Sequence, residues 1–142
     1  MDERIKDILI KKMESLIRCL ERVEQKRGNS FQDLSESLDH QDIVILNLER
    51  SVKLSIDIGS ILLSAFKIPI PETMSEVFQS LSENQLLPED IALSLRKSVG
   101  FRNIAVHEYS ELNWEIVFQI ATTRLKDFKD FIKVVNDLIL ST

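Results

Sequence analysis

The sequence is poor in the residues that turn chains and staple small folds. Among 142 residues there are only three glycines, three prolines and one cysteine. So few turn formers cannot serve the many reversals of an all-β fold, and aromatics, at 6%, with Val, Thr and Tyr, are not abundant. The lone Cys19 excludes an internal disulfide and any cysteine-based metal site; a reducing compartment is its simplest setting. A secretory leader is not expected either. The opening MDERIKDILI carries charges every few residues and has no apolar h-region. The most apolar stretch, Ile43 to Phe66, is interrupted by Glu49, Arg50, Lys53 and Asp57, and a membrane span of about 20 residues does not tolerate four charges. No membrane association is expected, and the chain reads as cytoplasmic. An excess of basic residues is missing as well. A net charge of −5 counts against a broad nucleic-acid-binding face, so contact with RNA would be confined to a small local site. The acidic surface would also suit a basic protein partner.

What is present is Leu, Ile, Glu, Lys and Ser, with 44% apolar and 29% charged residues. That is a globular composition and a length suited to one domain, residues 1–142. The fold class expected is all-α. In the first segment Ile5, Ile8, Leu9, Met13, Leu16, Ile17, Leu20 and Val23 recur at the spacing of one helical face. Asp2 and Glu3 at its start and Lys26 and Arg27 at its end complement the helix dipole, and Gly28-Asn29-Ser30 stops it. The second segment runs from about Phe31 to Phe66. Its part before Asp42 is polar, either a short separate helix or a mobile connection, and the role of residues 28–42 stays open. From Ile43 onward apolar residues occupy several faces, which predicts a central helix or one shared with a subunit interface. Pro69 and Pro71 mark a loop, Thr73 to Asn84 a short helix, and Pro88 the first turn of another that continues through RNIAVHEY. After a break at Ser110 to Asn113, one last helix is expected from Trp114 to about Leu140. The sum is a bundle of about five helices with short connections.

The informative stretch is Arg102-Asn103-Ile104-Ala105-Val106-His107-Glu108-Tyr109. On a continuing helix Arg102 and Tyr109 share a stripe, and Asn103 and His107 share the neighbouring one. Arg102 and His107 are about 140° apart on an ideal helix. They converge on one substrate only if the helix ends or bends near His107, or if a second subunit closes the site. With no nucleophilic Ser or Cys and no carboxylate pair, these groups suit a substrate that brings its own nucleophile. RNA does, through its 2′-hydroxyl. His107 can take that proton or protonate the leaving oxygen. Arg102 can hold the phosphate, Tyr109 can hydrogen-bond the phosphate or stack on a base, and Asn103 can orient His107 from one turn away. Against this stands the plain alternative that a lone His on a helix and an Arg–Tyr pair are packing features.

The pattern R-N-x-x-x-H-x-Y, preceded by Val99-Gly100-Phe101, resembles the R-x4-H-x-Y signature of HepT toxins in the HEPN superfamily. The run LERSVKLSIDIGSILLSAFKIPIP resembles that family's second helix and following loop, and ETMSEVFQSLSENQLLPEDIALSLRKSVGFRN the approach to its motif. The resemblance covers roughly Asn47 to Val135, with the first forty residues matching only in being helical. It implies a HEPN-type antiparallel bundle, a homodimer, and RNA cleavage with no metal and no cofactor. Arg102 and His107 would be catalytic, Asn103 and Tyr109 would bind or support substrate, and a minimal nucleotidyltransferase antitoxin would block the toxin by AMPylation of Tyr109. The alternative in the same superfamily is a non-catalytic, nucleotide-binding subunit of that nucleotidyltransferase; a plain helical adaptor is the third. Asp57, a carboxylate in the apolar second helix, is either a supporting partner of Arg102 or reaches solvent. Asp39-His40-Gln41-Asp42 reads as a polar helix start or solvated turn, not a metal site, and Cys19 as inert packing.

Overall fold

Helical periodicity becomes architecture in the computed structural model, which describes residues 1–142 as seven α-helices and one 3-10 turn, with no strand. The first helix, α1 (Glu3–Lys26), starts where the Asp2 side chain accepts from the Arg4 N–H at 2.7 Å. It ends at Gly28, whose φ of +78° only glycine adopts without strain. A short α2 (Phe31–Ser35) follows, capped by Ser30. Then comes α3 (Leu38–Ala65), capped by Ser37. The Gln41 amide donates to the Leu34 and Ser35 carbonyls and so ties the end of α2 to the start of α3.

The bundle is organised around α3, which is buried on several sides. Along it α1 lies antiparallel: Lys12 pairs with Asp57 near one end, while Arg22 and Ile43 share a groove near the other. A hairpin of α4 (Met74–Glu83) and α5 (Glu89–His107) packs against another side. Gly59 permits that approach, since a Cβ there would meet Val77 Cγ1 at 2.7 Å. Two further helices, α6 (Trp114–Thr123) and α7 (Leu125–Ser141), close the structure, with α7 against α1 and α5. The Phe78 and Phe131 rings meet edge to face at 5.9 Å in the core between α4 and α7. Buried Asn47, Ser51 and Ser55 donate to carbonyls one turn earlier in α3, so none of these groups is buried unpaired. No helix is long and apolar enough to cross a membrane.

The structure resolves one segment that the sequence left open and divides one helix that the sequence joined. Residues 28–42 form α2 and the first turn of α3, which begins at Leu38 within the polar stretch. The single last helix is two, broken at Arg124. No Gly or Pro marks that break. Instead Thr122 and Thr123 turn their hydroxyls back onto the Phe118 and Gln119 carbonyls, and Arg124 pairs with Asp127 at 2.9 Å. The buried stripe Val117, Ala121, Leu125, Phe128 runs through the break in register, which is why periodicity alone reads one helix. These two changes account for the excess over five helices.

Candidate active site

The conspicuous motif lies at the C-terminal end of α5. That helix stays regular through His107: the Glu108 N–H still bonds the Ile104 carbonyl at 2.7 Å. Only at Glu108, with φ −133° and ψ 44°, does the chain leave the helix and enter a 3-10 turn at Tyr109–Glu111. Asn113 then caps α6 by accepting from the Glu115 and Ile116 N–H groups. The helix therefore ends one residue too late to redirect His107. On a regular helix the five-residue spacing sends Arg102 and His107 out about 140° apart. Tyr109, lying beyond the helix end, does not share a helical stripe with Arg102, contrary to the expectation.

Arg102 is half-buried beneath the start of α4. Its Nη1 lies 3.9 Å from the Met74 sulfur, a weak contact, and its buried Nε has no acceptor. No carboxylate pairs with this guanidinium. Its charge is thus uncommitted within the chain. His107 is exposed, as are Asn103 and the apolar Ile104 and Val106 around it. Asn103 makes no hydrogen bond to His107. Asp57 is not a partner of Arg102. It faces α1, 2.7 Å from Lys53 one turn earlier on α3 and 3.8 Å from Lys12 on α1.

The contact that sequence reasoning missed belongs to Tyr109. Its hydroxyl donates to Asp42 Oδ1 at 2.5 Å, and its ring meets Trp114 edge to face at 6.0 Å. Partial burial, the hydrogen bond to Asp42, and the charges of Asp42 and Glu49 push the phenol up to about 12. Asp42 belongs to α3, not to a solvated turn, and clamps the segment after α5 to the start of the central helix. No signal in the sequence joins two residues 67 positions apart. No group of three or more His, Cys, Asp or Glu side chains is placed to hold a metal ion. Chemically, the site offers an unpaired guanidinium, an exposed imidazole and a phenol held by a carboxylate.

Comparison with known proteins agrees on one family. The model of the family described as "Ribonuclease HepT-like" matches residues 16–135, so the likeness begins within α1, well before Asn47. The chain is 38% identical over 130 residues to the mRNA nuclease HepT of Shewanella oneidensis, covering 92% of this chain and 97% of that one. It is 26% identical over 134 residues to the tRNA nuclease HepT of Aphanizomenon flos-aquae, covering 94% and 91%. Among solved structures, it superposes with a TM-score of 0.88 on the tri-AMPylated HEPN toxin of Shewanella oneidensis in complex with an MNT antitoxin. That match has 35% identity and covers 96% of this chain and 99% of that one.

Proposed function

Because this chain belongs to the HepT-like ribonuclease family, we propose that it is the toxin of a toxin–antitoxin pair and cleaves RNA through Arg102 and His107 without a metal. The observation that carries this reading is Arg102: a half-buried guanidinium with no carboxylate and an unfilled Nε, on the same helix end as an exposed His. An internal partner would have neutralised that charge. Left open, it suits a phosphodiester.

In this reading the RNA 2′-hydroxyl attacks its own phosphorus and the bond to the 5′-oxygen breaks. The products are a 2′,3′-cyclic phosphate and a 5′-hydroxyl end. His107 moves the proton, taking it from the 2′-oxygen or giving it to the leaving oxygen. Arg102 neutralises the charge that builds on the phosphoryl oxygens. Asn103 and Tyr109 line the substrate's path. Since Arg102 and His107 diverge on one helix, a homodimer supplies the convergence, with the exposed Ile104 and Val106 facing the second copy.

The proposed antitoxin is a minimal nucleotidyltransferase that transfers AMP to the Tyr109 oxygen, as the AMPylated state of the Shewanella complex supports. Asp42 already accepts the hydrogen bond from that hydroxyl. The deciding experiment is digestion of RNA by purified protein in EDTA with analysis of the ends. Cyclic-phosphate products, lost in His107→Ala, are expected; a strict requirement for divalent metal contradicts the mechanism. Intact mass after co-expression with a minimal nucleotidyltransferase antitoxin should rise in AMP-sized steps, and not in Tyr109→Phe.

A further inference from the structure

Between α1 and α3 runs a groove of about 620 Å³, on a side of the bundle the catalytic motif does not occupy. Its charge is out of keeping with the chain. Although 23 acidic residues face 18 basic ones overall, the groove is lined by Arg18, Arg22, Arg50 and Lys53. Three of these four are uncompensated. The chain's ion pairs use Lys6, Lys12, Lys53, Arg124 and Lys129, so no carboxylate takes up Arg18, Arg22 or Arg50. Arg18 bonds Ser15 and Arg22 bonds Gln25, each on its own helix, and Arg50 bonds nothing.

The cations come from two helices and line one groove. Arg18 from α1 and Arg50 from α3 line the same groove as Cys19, and both oppose the upward push that burial gives its thiol. Gathering like charges without counter-ions is unfavourable in the empty protein, and an anion laid along the groove reverses that. Position narrows the choice of anion. Ile43, at one end of the groove, follows Asp42, the residue that holds Tyr109. From Asp42 to Lys53 the helix rises about 16 Å, room for several phosphates in a row.

We infer that the α1–α3 groove carries the phosphodiester backbone of RNA away from the cleavage site, with Arg18, Arg22 and Arg50 each paired to a phosphate. The inference rests on the ribonuclease reading and adds where the substrate outside the scissile bond lies. It also reconciles an acidic protein with a polyanionic substrate, because the attraction is confined to one trough.

The test uses His107→Ala protein, which binds RNA without cutting it, and a labelled single strand of about 12 uridines. Replacing Arg18, Arg22 and Arg50 together by Ala should weaken binding at least ten-fold. It should also flatten the dependence of log affinity on log salt by about 2, since each single-strand phosphate contact contributes about 0.7. The corresponding triple Lys variant keeps the charges and should retain most of the salt slope, which separates loss of contact from loss of fold. Equal affinity and slope in the Ala variant overturn the inference, as does loss of binding to an acidic protein partner with RNA binding untouched. Failure of the parent reading looks different: wild-type protein then cuts no RNA, whatever the binding experiment returns.

Discussion

The Tyr109 hydroxyl is the group of the motif that the fold holds most firmly. Its proton is held against the Asp42 carboxylate at 2.5 Å, so ionising the phenol places a second negative charge beside the first. Tyr109 is the chain's single tyrosine, and a phenolate absorbance titration therefore reads it alone. The native step is expected at about 12. In Asp42→Asn it should fall but remain above that of free tyrosine, because partial burial still acts. A native step at the ordinary tyrosine value would refute the clamp. The sign for stability follows. A folded value above the unfolded one of about 10 means that the stabilisation is complete below pH 10 and is lost as pH rises from there to about 12. If Tyr109 accepts AMP as proposed above, the Asp42 carboxylate would lie where the attacking oxygen releases its proton. Asp42 escaped the sequence reading because its significance lies wholly in a partner 67 positions away. Asp57 shows the reverse case. Lys53, four residues earlier on the same helix, was the partner that helical spacing already offered.

At the level of helices, two glycines of similar setting predict opposite outcomes. Both Gly59 in α3 and Gly100 in α5 stand inside helices, where Ala is intrinsically better by about 0.5–1 kcal/mol. At Gly100 a Cβ meets nothing within 4 Å; Gly100→Ala should stabilise by about that amount. At Gly59 the Cβ would press on Val77 Cγ1 at 2.7 Å and Leu81 Cδ1 at 3.2 Å, both in the buried face of α4. Overpacking costs about 1–3 kcal/mol, so Gly59→Ala should destabilise. Denaturant midpoints of the two variants decide it; a shift of the same sign in both would show that α4 yields to the intrusion. The close approach was readable from sequence only as a small residue in an apolar helix. Elsewhere the elements followed from pattern. The stripe Leu9, Met13, Leu16, Leu20, Val23 made α1 plain, and it is the buried face of that helix. The break at Arg124 was invisible because the apolar period continues across it, while the hydroxyl-to-backbone bonds of Thr122 and Thr123 that accompany it leave no periodic trace.

Taken whole, the molecule carries the two proposed catalytic groups, Arg102 and His107, on different sides of one helix. If the cleavage site is shared between two copies, two inactive proteins can repair each other. Mixed Arg102→Ala and His107→Ala protomers form a dimer with one site intact and one doubly damaged. Equimolar mixing with exchange should then recover about a quarter of wild-type cleavage, since half the dimers are mixed and each has one working site. No recovery, with subunit exchange demonstrated, would place the whole site within one chain. The geometry of the Tyr109 and Trp114 rings has one further consequence. They stand 6.0 Å apart, and they are the only tyrosine and the only tryptophan the protein has. Tyrosine and tryptophan emission therefore comes only from the junction of α5 and α6, so the proposed arrival there of RNA, a second protomer or an adenylyl group would be followed by fluorescence with no label attached.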